Sequence, residues 1–286
     1  MRLPLSAAPA TTIERFLTRP ANIAHRGASE VAPENTLAAV RSAARLGADL
    51  VEVDVQRTRD GALVLMHDVT LRRTTNVEEV FPRRTPWRVA DFTHDELLRL
   101  DAGSWKGARF TGERVPLLSD VVHLLRGSGT GLLVELKEPG LYSGVVRDLA
   151  AVLDEPSTRT ATEPLVVESF DFAAMKELKT LEPSLRVGLL GTPARANLAA
   201  LGSWADQVNP PHRSVDAAYV DAVHRAGMEC HVWTVNRRGA MQRAVGLGVD
   251  GVITNRPALL GRLLDAGGAF PRSPGKAAPT TRNSSR

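Results

Sequence analysis

Residues 50–57, Leu-Val-Glu-Val-Asp-Val-Gln-Arg, have the pattern of a strand that is covered on both faces. Valine and leucine dominate a short run that contains neither proline nor glycine, as is typical of parallel sheets. Because strand side chains alternate with a period of two, Glu52 and Asp54 point to one face and the three valines that alternate with them point to the other. We expect the acidic face to line the interior of a closed barrel.

Similar apolar runs recur along the chain and alternate with helical patterns. Strands are predicted at residues 22–25, 50–57, 132–137, 165–170, 186–190, 207–209, 229–235 and 251–254. Helices are predicted at 33–46, 117–125, 142–153, 171–181, 192–201, 215–226, 237–247 and 257–264. Strands and helices that alternate in this way predict an α/β fold, a (β/α)₈ TIM barrel. An open doubly wound sheet is the alternative that the pattern leaves open.

Turn and cap residues support these boundaries. Gly47, Gly227 and Gly248 each follow a helical pattern and precede a strand, as glycines at helix C-termini do. Pro33 is predicted to be the first residue of the first helix, with Glu34 beside it to complement the helix dipole. One segment interrupts the alternation. Residues 68–116 are too long for a simple loop, include one helical pattern at 93–100, and are predicted to be an insertion between the second and third barrel strands, over one barrel end.

The composition is that of an ordinary globular chain, with 43% hydrophobic and 24% charged residues among 286. Lysine and arginine number 36 against 32 acidic residues, and the 268–286 segment, with four basic residues and no acidic one, accounts for the whole excess. We expect this segment to be a disordered basic tail rather than a nucleic-acid-binding element. The predicted organisation is an N-terminal extension at 1–19, one folded domain at 20–267, and the tail.

The chain also lacks several features that would indicate other classes of protein. One cysteine, Cys230, excludes an intrachain disulfide and a cysteine-based metal site. No apolar run approaches the roughly 20 residues of a membrane-spanning helix, and the first residues make a poor signal peptide. We therefore expect a cytoplasmic protein with no transmembrane segment and no nucleic-acid partner.

Three carboxylates from neighbouring strands are the candidate ligands of a metal ion. Glu52 and Asp54 share a face of the second strand, and Glu135 lies in the third. Unpaired buried carboxylates would cost several kcal/mol, so a compensating cation is expected. Oxygen ligands alone favour Mg²⁺, Ca²⁺ or Mn²⁺ over zinc or copper. The competing interpretation is a surface edge strand with solvated carboxylates.

Two histidines and two cations are predicted to surround the same point. His25 ends the first strand, and His67 ends the apolar run 62–66 that doubles back from the second. Imidazoles can accept and donate protons near neutral pH. Arg26 and Lys137 offer positive donors for an anionic oxyacid; the competing interpretation is simple salt bridges to Glu52 or Glu135. The set favours a phosphodiester over a peptide or glycoside substrate.

Many short motifs, in order, resemble those of the glycerophosphodiester phosphodiesterases, over residues 22–264. They are Ala24-His25-Arg26-Gly27, Pro33-Glu34-Asn35-Thr36, Glu52-Val53-Asp54-Val55, Asp60-Gly61, His67-Asp68, Leu71-Arg72-Arg73-Thr74-Thr75-Asn76, Leu100-Asp101-Ala102-Gly103-Ser104-Trp105, Gly112-Glu113-Arg114-Val115-Pro116-Leu117, Glu135-Leu136-Lys137, Glu168-Ser169-Phe170, Val232-Trp233-Thr234-Val235-Asn236 and Asp250-Gly251-Val252-Ile253-Thr254-Asn255-Arg256-Pro257.

The resemblance implies a TIM-barrel hydrolase that uses one divalent cation to cleave glycerophosphodiesters to sn-glycerol 3-phosphate and an alcohol. It implies that His25 and His67 form the general acid–base pair. The implied metal ligands are Glu52, Asp54 and Glu135, and the implied substrate-binding residues are Arg26 and Lys137 for the phosphate and Trp233 for the glycerol. One departure is Asn255, where many members have aspartate; we expect it to tune the barrel mouth without abolishing the chemistry.

Two alternative functions stay open at this point. A lysophospholipase D or a sphingomyelinase-D-like enzyme would share the fold and the ion but act on a lipid, and would require an exposed apolar rim. The aromatic residues of the 68–116 segment, Phe81, Trp87, Phe92, Trp105 and Phe110, are expected to be packing residues instead. A non-catalytic glycerophosphodiester-binding module is the second alternative. The head group, the metal, the oligomeric state, the assignment of acid and base, and the attacking oxygen, either water or the glycerol 2-hydroxyl, are all left undecided.

Overall fold

A closed barrel of eight parallel strands forms the centre of the molecule, and a computed structural model describes residues 19–155 and 164–267 of the chain. The sheet comprises β1 (Ala21–Ala24), β2 (Leu50–Arg57), β3 (Leu63–Leu65), β4 (Gly131–Leu136), β5 (Leu165–Ser169), β6 (Arg186–Leu190), β7 (Gln207–Asn209), β8 (Glu229–Val232) and β9 (Gly251–Thr254). Strand β1 pairs in parallel with both β9 and β2, which closes the barrel and excludes the open sheet. The predicted TIM barrel is confirmed. β3 is the additional, antiparallel strand on β2.

Helices connect successive strands and pack outside the barrel. They are α1 (Leu37–Arg45), α2 (Val77–Val80), α3 (His94–Leu97), α4 (Leu118–Leu125), α5 (Val145–Asp154), α6 (Phe172–Leu181), α7 (Leu198–Leu201), α8 (Ala217–Arg225), α9 (Arg238–Gly246) and α10 (Pro257–Ala266). Short 3₁₀ turns lie at Val89–Asp91, Ala108–Phe110, Pro139–Leu141 and Arg195–Asn197. The helix predicted at 192–201 is thus a 3₁₀ turn followed by the short α7.

The first helix begins later than predicted. Thr36 is its N-cap and accepts a hydrogen bond from the Ala39 backbone N–H at 3.3 Å, so Pro33 lies outside the helix. Asn35, with φ of 55°, is in the left-handed region and cannot belong to the helix. The prediction for Pro33 was therefore wrong, and the Glu34 side chain is used by two arginines instead of the helix dipole.

The two faces of β2 differ as predicted. Val51, Val53 and Val55 belong to the apolar layer between the barrel and the helices. Glu52 and Asp54 are 1% and 0% exposed inside the barrel, so the interpretation as a surface edge strand is wrong.

Residues 68–116 form a layer with an apolar cluster of its own. Leu71, Val89, Phe92 and Leu97 are completely buried in this cluster, which is separate from that of the barrel. Helix α3 carries a capping box, in which Thr93 and Glu96 each accept a hydrogen bond from the backbone N–H of the other. The layer contacts the loop after β1 through hydrogen bonds from Lys106 Nζ to the Ser29 carbonyl and from Arg109 Nη2 to the Val31 carbonyl, both 2.8 Å long.

The aromatic residues of this layer divide into two groups. Phe81 and Trp87 pack against the apolar cluster around Phe92, as expected of packing residues. Trp105 does not fit that expectation, because it is 41% exposed.

Three further predictions concern membrane spans, the two ends of the chain and the single cysteine. No helix among the residues that the structure describes is long and apolar enough to cross a membrane. The predicted 268–286 tail and residues 1–18 of the predicted N-terminal extension lie outside the described residues. Cys230 is buried.

Candidate active site

A cleft of about 220 Å³ opens at the carboxyl ends of the barrel strands, where TIM-barrel enzymes place their active sites. All but one of the predicted site residues line it; the exception, Asp54, is completely buried beside it. The lining residues are His25, Arg26, Glu52, His67, Glu135, Lys137, Glu168, Phe170, Leu190, Trp233, Thr234 and Ile253.

Strand register places the acidic side chains together. Asp54 pairs with Glu135 across β2 and β4, Glu135 pairs with Glu168 across β4 and β5, and Glu168 pairs with Gly188 on β6. A side chain at Gly188 would meet Asn209 Nδ2 at 2.9 Å and Glu168 Cβ at 3.2 Å, so this glycine leaves room for both. Carboxylate oxygens of Glu52, Glu135 and Glu168 lie within 4.8 Å of one another.

The environment of these three carboxylates disfavours their charged forms. Burial, together with the neighbouring acids, raises the pKa of Glu52 well above its ordinary value, that of Glu135 to about 7 and that of Glu168 to about 8. Oε1 of Glu52 is buried and has no hydrogen-bond partner among the described residues. A cluster of buried oxygen donors whose charge Lys137 offsets only in part suits a divalent cation, so the residues present fit such an ion.

Asp54 is in a different electrostatic environment from the cluster. Asn35 donates a 2.7 Å hydrogen bond to its Oδ2, Arg26 Nε lies 3.2 Å from the same oxygen, and Lys137 Nζ lies 3.7 Å from Oδ1. Burial alone would raise the pKa of Asp54, but Arg26 and Lys137 outweigh burial and lower it. Arg26 and Lys137 therefore offset part of the charge of Asp54, although its buried Oδ1, like Oε1 of Glu52, has no hydrogen-bond partner among the described residues. Its role as a metal ligand stays a prediction.

The two predicted phosphate-binding cations line the cleft and also form ion pairs. Lys137 Nζ lies 2.7 Å from Glu135 Oε1, and Arg26 Nη1 lies 2.7 Å from Glu34 Oε1. The Arg26 backbone N–H donates a 2.6 Å hydrogen bond to Glu52 Oε2. That bond helps to hold Arg26 in the left-handed region, with φ of 55°, which costs about 1–2 kcal/mol for a residue other than glycine.

His25 is held by the barrel itself. Its backbone N–H donates to the Thr254 carbonyl at 2.9 Å, and its ring Nδ1 lies 2.6 Å from Asn255 Oδ1. The Asn255 backbone N–H in turn donates to Asn236 Oδ1 at 2.9 Å. Burial and the adjacent Arg26 lower the pKa of His25 to about 4, so the ring is neutral at pH 7.

His67 is held by a chain of ion pairs instead. Its Nδ1 lies 2.6 Å from Asp68 Oδ1, and Arg73 Nε donates to Asp68 Oδ2, also at 2.6 Å. Arg73 further donates to both oxygens of Glu34, at 2.7 and 2.9 Å. The hydrogen bond from Arg73 and the contact with His67 lower the pKa of Asp68 to about 2.

The opposite wall of the cleft is apolar and aromatic. Trp233 Nε1 donates a 2.6 Å hydrogen bond to the Asn209 carbonyl, which fixes the indole at the barrel mouth. The Phe170 ring contacts it edge to face, with 5.8 Å between the centroids, and Phe170 is 56% exposed. The cleft therefore has a charged side and an aromatic side.

Comparison with known proteins identifies the family of this barrel. The model of the glycerophosphoryl diester phosphodiesterase family matches residues 25–259. The chain belongs to this family. Membership places it among the phosphoric diester hydrolases.

Individual relatives are similar to this chain over most of its length. A glycerophosphodiester phosphodiesterase from Caldanaerobacter subterraneus subsp. tengcongensis is 37% identical over 250 residues, which cover 86% of this chain and 98% of that protein. One from Bacillus subtilis is 31% identical over 279 residues, covering 91% of each chain. The solved structure of an Oleispira antarctica phosphodiesterase in complex with the product sn-glycerol-3-phosphate has a TM-score of 0.78 and 28% identity, covering 90% of this chain and 100% of that chain.

Within this phosphodiesterase, sequence reasoning did not assign site roles to Glu168, Glu34 or Arg73. Glu168 and Arg73 lie in motifs that were noted only as part of the family resemblance, and Glu34 was otherwise noted only for the helix dipole. Glu168 carried a usable signal, since an acidic residue inside an apolar strand is the same observation that singled out Glu52. Glu34 and Arg73 carried none, because their ion pair joins segments 39 residues apart.

Proposed function

We propose that this protein hydrolyses glycerophosphodiesters to sn-glycerol 3-phosphate and an alcohol, with one divalent cation and with His25 and His67 as the acid–base pair. The observation that carries the proposal is the cleft itself, which combines three buried carboxylates, two histidines and two cationic side chains.

The charged and aromatic sides of the cleft suit the two parts of such a substrate. Arg26 and Lys137 would bind the phosphate, since guanidinium and ammonium groups are strong donors to phosphate oxygens. Trp233 would flank the glycerol carbons, and the exposed ring of Phe170 lies next to it. In this arrangement the scissile bond lies between the two histidines.

The partners of the histidines support different roles. With Asn255 Oδ1 accepting from Nδ1–H, neutral His25 has a free lone pair on Nε2, which suits a general base. His67 has a carboxylate partner instead, with Asp68 Oδ1 2.6 Å from Nδ1, which orients the ring for proton transfer through Nε2 and suits a general acid. We therefore assign removal of the proton from the attacking oxygen to His25 and protonation of the departing alkoxide to His67.

A divalent cation would be held by Glu52 and Glu135. The geometry favours Glu168 as the third oxygen ligand, whereas the resemblance favours Asp54. When bound, the cation supplies Lewis-acid polarisation of the phosphate. Titration calorimetry with Mg²⁺ alone separates the two candidates: Glu168→Gln should weaken binding at least tenfold, and Asp54→Asn should weaken it less.

The proposal is tested by a coupled assay for sn-glycerol 3-phosphate. Purified protein is treated with a chelator and assayed on glycerophosphocholine, glycerophosphoethanolamine and glycerophosphoinositol after addition of Mg²⁺, Ca²⁺ or Mn²⁺. We expect turnover that the chelator abolishes and a cation restores. Absence of turnover across this panel would refute the proposal and favour the non-catalytic binding module.

The same protein should be tested on lysophosphatidylcholine, because Phe170 and Trp105 are both exposed. Choline release confined to the lipid would replace the proposal with a lysophospholipase D. Phosphorus NMR during turnover also identifies the attacking oxygen: a transient cyclic phosphate indicates the glycerol 2-hydroxyl, and its absence under rapid quenching indicates water.

A further inference from the structure

We propose that Arg73 is a positioning residue that sets the placement of His67 and of Arg26 together. It does so from the 68–116 layer, through Asp68 on one side and Glu34 on the other. The inference rests on the phosphodiesterase activity proposed above.

The geometry of the guanidinium group makes Arg73 a bridge. Nε and Nη2 bind the two oxygens of Asp68 at 2.6 and 3.0 Å, while Nη1 and Nη2 bind the two oxygens of Glu34 at 2.9 and 2.7 Å. Both contacts are bidentate, which fixes the direction of each carboxylate as well as its distance. A lysine ammonium would supply charge but no such fork.

Each carboxylate passes this orientation to a residue that lines the cleft. Asp68 contacts His67 Nδ1 at 2.6 Å, and Glu34 Oε1 accepts from Arg26 Nη1 at 2.7 Å. The side chains of Asp68 and Glu34 are 30% and 14% exposed, so two like charges would face each other at partial burial without the arginine.

The backbone of Arg73 is anchored firmly enough to serve as a reference point. Leu71, two residues earlier, is completely buried, and its N–H donates to the Trp87 carbonyl at 2.9 Å. Thr75, two residues later, donates from Oγ1 to the Leu71 carbonyl at 2.6 Å. The turn that carries Arg73 is thus fixed to the apolar cluster of the 68–116 layer, and Arg73 joins that layer to the loop after β1.

The first experiment compares Arg73→Ala with Arg72→Ala. Arg72 is the matched control, since its side chain is 66% exposed and pairs with Glu78, away from the cleft. For Arg73→Ala we expect kcat to fall and KM to rise, with about a 10²-fold loss of kcat/KM from displacement of both groups. Arg72→Ala should match the wild type. Equal kinetics for the two variants would overturn the inference.

Rescue separates positioning from a merely structural role. Millimolar guanidinium should restore activity to Arg73→Ala but leave Arg72→Ala unchanged, and Arg73→Lys should fall between Arg73→Ala and the wild type. If Arg73→Ala does not fold, Arg73→Lys decides: wild-type kcat/KM in this variant contradicts a role that depends on the fork.

Proton NMR of the His67 ring gives a readout that does not depend on turnover. The Nδ1 proton, hydrogen-bonded to Asp68, should move upfield or broaden in Arg73→Ala, while that of His25 stays in place. An unchanged His67 resonance would overturn the inference even in a protein without activity. A wild type that turns over no substrate would instead refute the proposed function.

Discussion

His25 and His67 line the same cleft, but different neighbouring residues hold them in place. His25 is fixed by the barrel, through a neutral amide whose backbone is bound to Asn236. His67 follows β3 and is fixed by a carboxylate that ion pairs connect to Glu34 across the cleft rim. The first support leaves His25 beside an uncharged partner, and the second places a carboxylate beside His67.

The difference shows how a symmetric scaffold produces two unlike groups from one residue type. A base and an acid must be in opposite protonation states at one pH. The amide oxygen of Asn255 accepts a hydrogen bond from Nδ1–H of His25 without adding charge, whereas Asp68 places a negative charge beside His67. In the proposed mechanism, the different partners give the two histidines their different roles.

The largest expected effect is loss of either ring. His25→Ala and His67→Ala should each lower kcat about 10³-fold, because each removes one proton transfer. A p-nitrophenyl ester of glycerol 3-phosphate separates them: its leaving group needs no proton, so His67→Ala should recover most activity and His25→Ala should not. The reverse pattern would exchange acid and base. His123→Ala, on the exposed side of α4, is the control.

Removing the charge from the partner of His67 should have the next largest effect. Asp68→Asn keeps the shape but removes the negative charge that binds Nδ1 of His67 and Nε of Arg73, so kcat should fall about 10- to 100-fold. The loss should be smaller on the p-nitrophenyl ester. In the double variant with Arg73→Ala, kcat should fall little further than in the single variants, since both residues act on His67 through the same series of contacts. If the two losses of kcat add in full, Asp68 and Arg73 act independently.

Adding a charge to the partner of His25 should shift the pH profile with only a few-fold change in the maximal rate. Asn255→Asp places a carboxylate beside Nδ1, which favours the charged ring and raises the pKa of His25 from about 4 by roughly one to three units. The base is then protonated up to a higher pH. Activity should fall near pH 5–6 and be almost unchanged at pH 8. An unmoved acidic limb would mean that His25 is not the base.

The smallest effect concerns the carboxylate cluster beside His25. The pKa values of Glu135, about 7, and Glu168, about 8, lie above their ordinary value of 4.5, so the folded state holds more protons than the unfolded one. His25, whose pKa is lowered from 6.5 to about 4, has the opposite effect below pH 6.5, so stability of the metal-free protein should fall clearly as pH rises from about 6.5 to 8. Mg²⁺ should raise Tm by several degrees more at pH 8 than at pH 6. Glu168→Gln should reduce this dependence, and a Tm that rises toward pH 8 without metal would contradict the raised pKa values.

Sequence reasoning came close on the fold because its evidence is local. Alternation of apolar strands and helices predicts the barrel, and period-two spacing places Glu52 and Asp54 in its interior, as found. The error at Pro33 has a local cause as well. The rule that proline begins helices is sound, but here Asn35 takes a left-handed conformation that delays the helix to Leu37.

The candidate site was predicted in its residue types more fully than in its pairings. His25, Arg26, Glu52, Glu135 and Lys137 were selected as chemistry-bearing residues at strand ends, and the structure brings them to one cleft. Their assigned roles remain predictions. The ion pairs were harder to predict, because a motif shows that a charged residue is present without showing which side chain it contacts.

The sequence by itself determined that strands and helices alternate and that two acidic residues share one face of β2. Those properties follow from the side-chain periodicity of single elements. Only the tertiary structure decided that the sheet closes, that Glu168 joins Glu52 and Glu135, that Asn255 contacts His25, and that Arg73 binds Glu34. Barrel closure and strand register create the carboxylate cluster and the contact of His25 with Asn255, 230 positions apart, while packing of the 68–116 layer against the loop after β1 brings Arg73 to Glu34. No local pattern encodes such contacts.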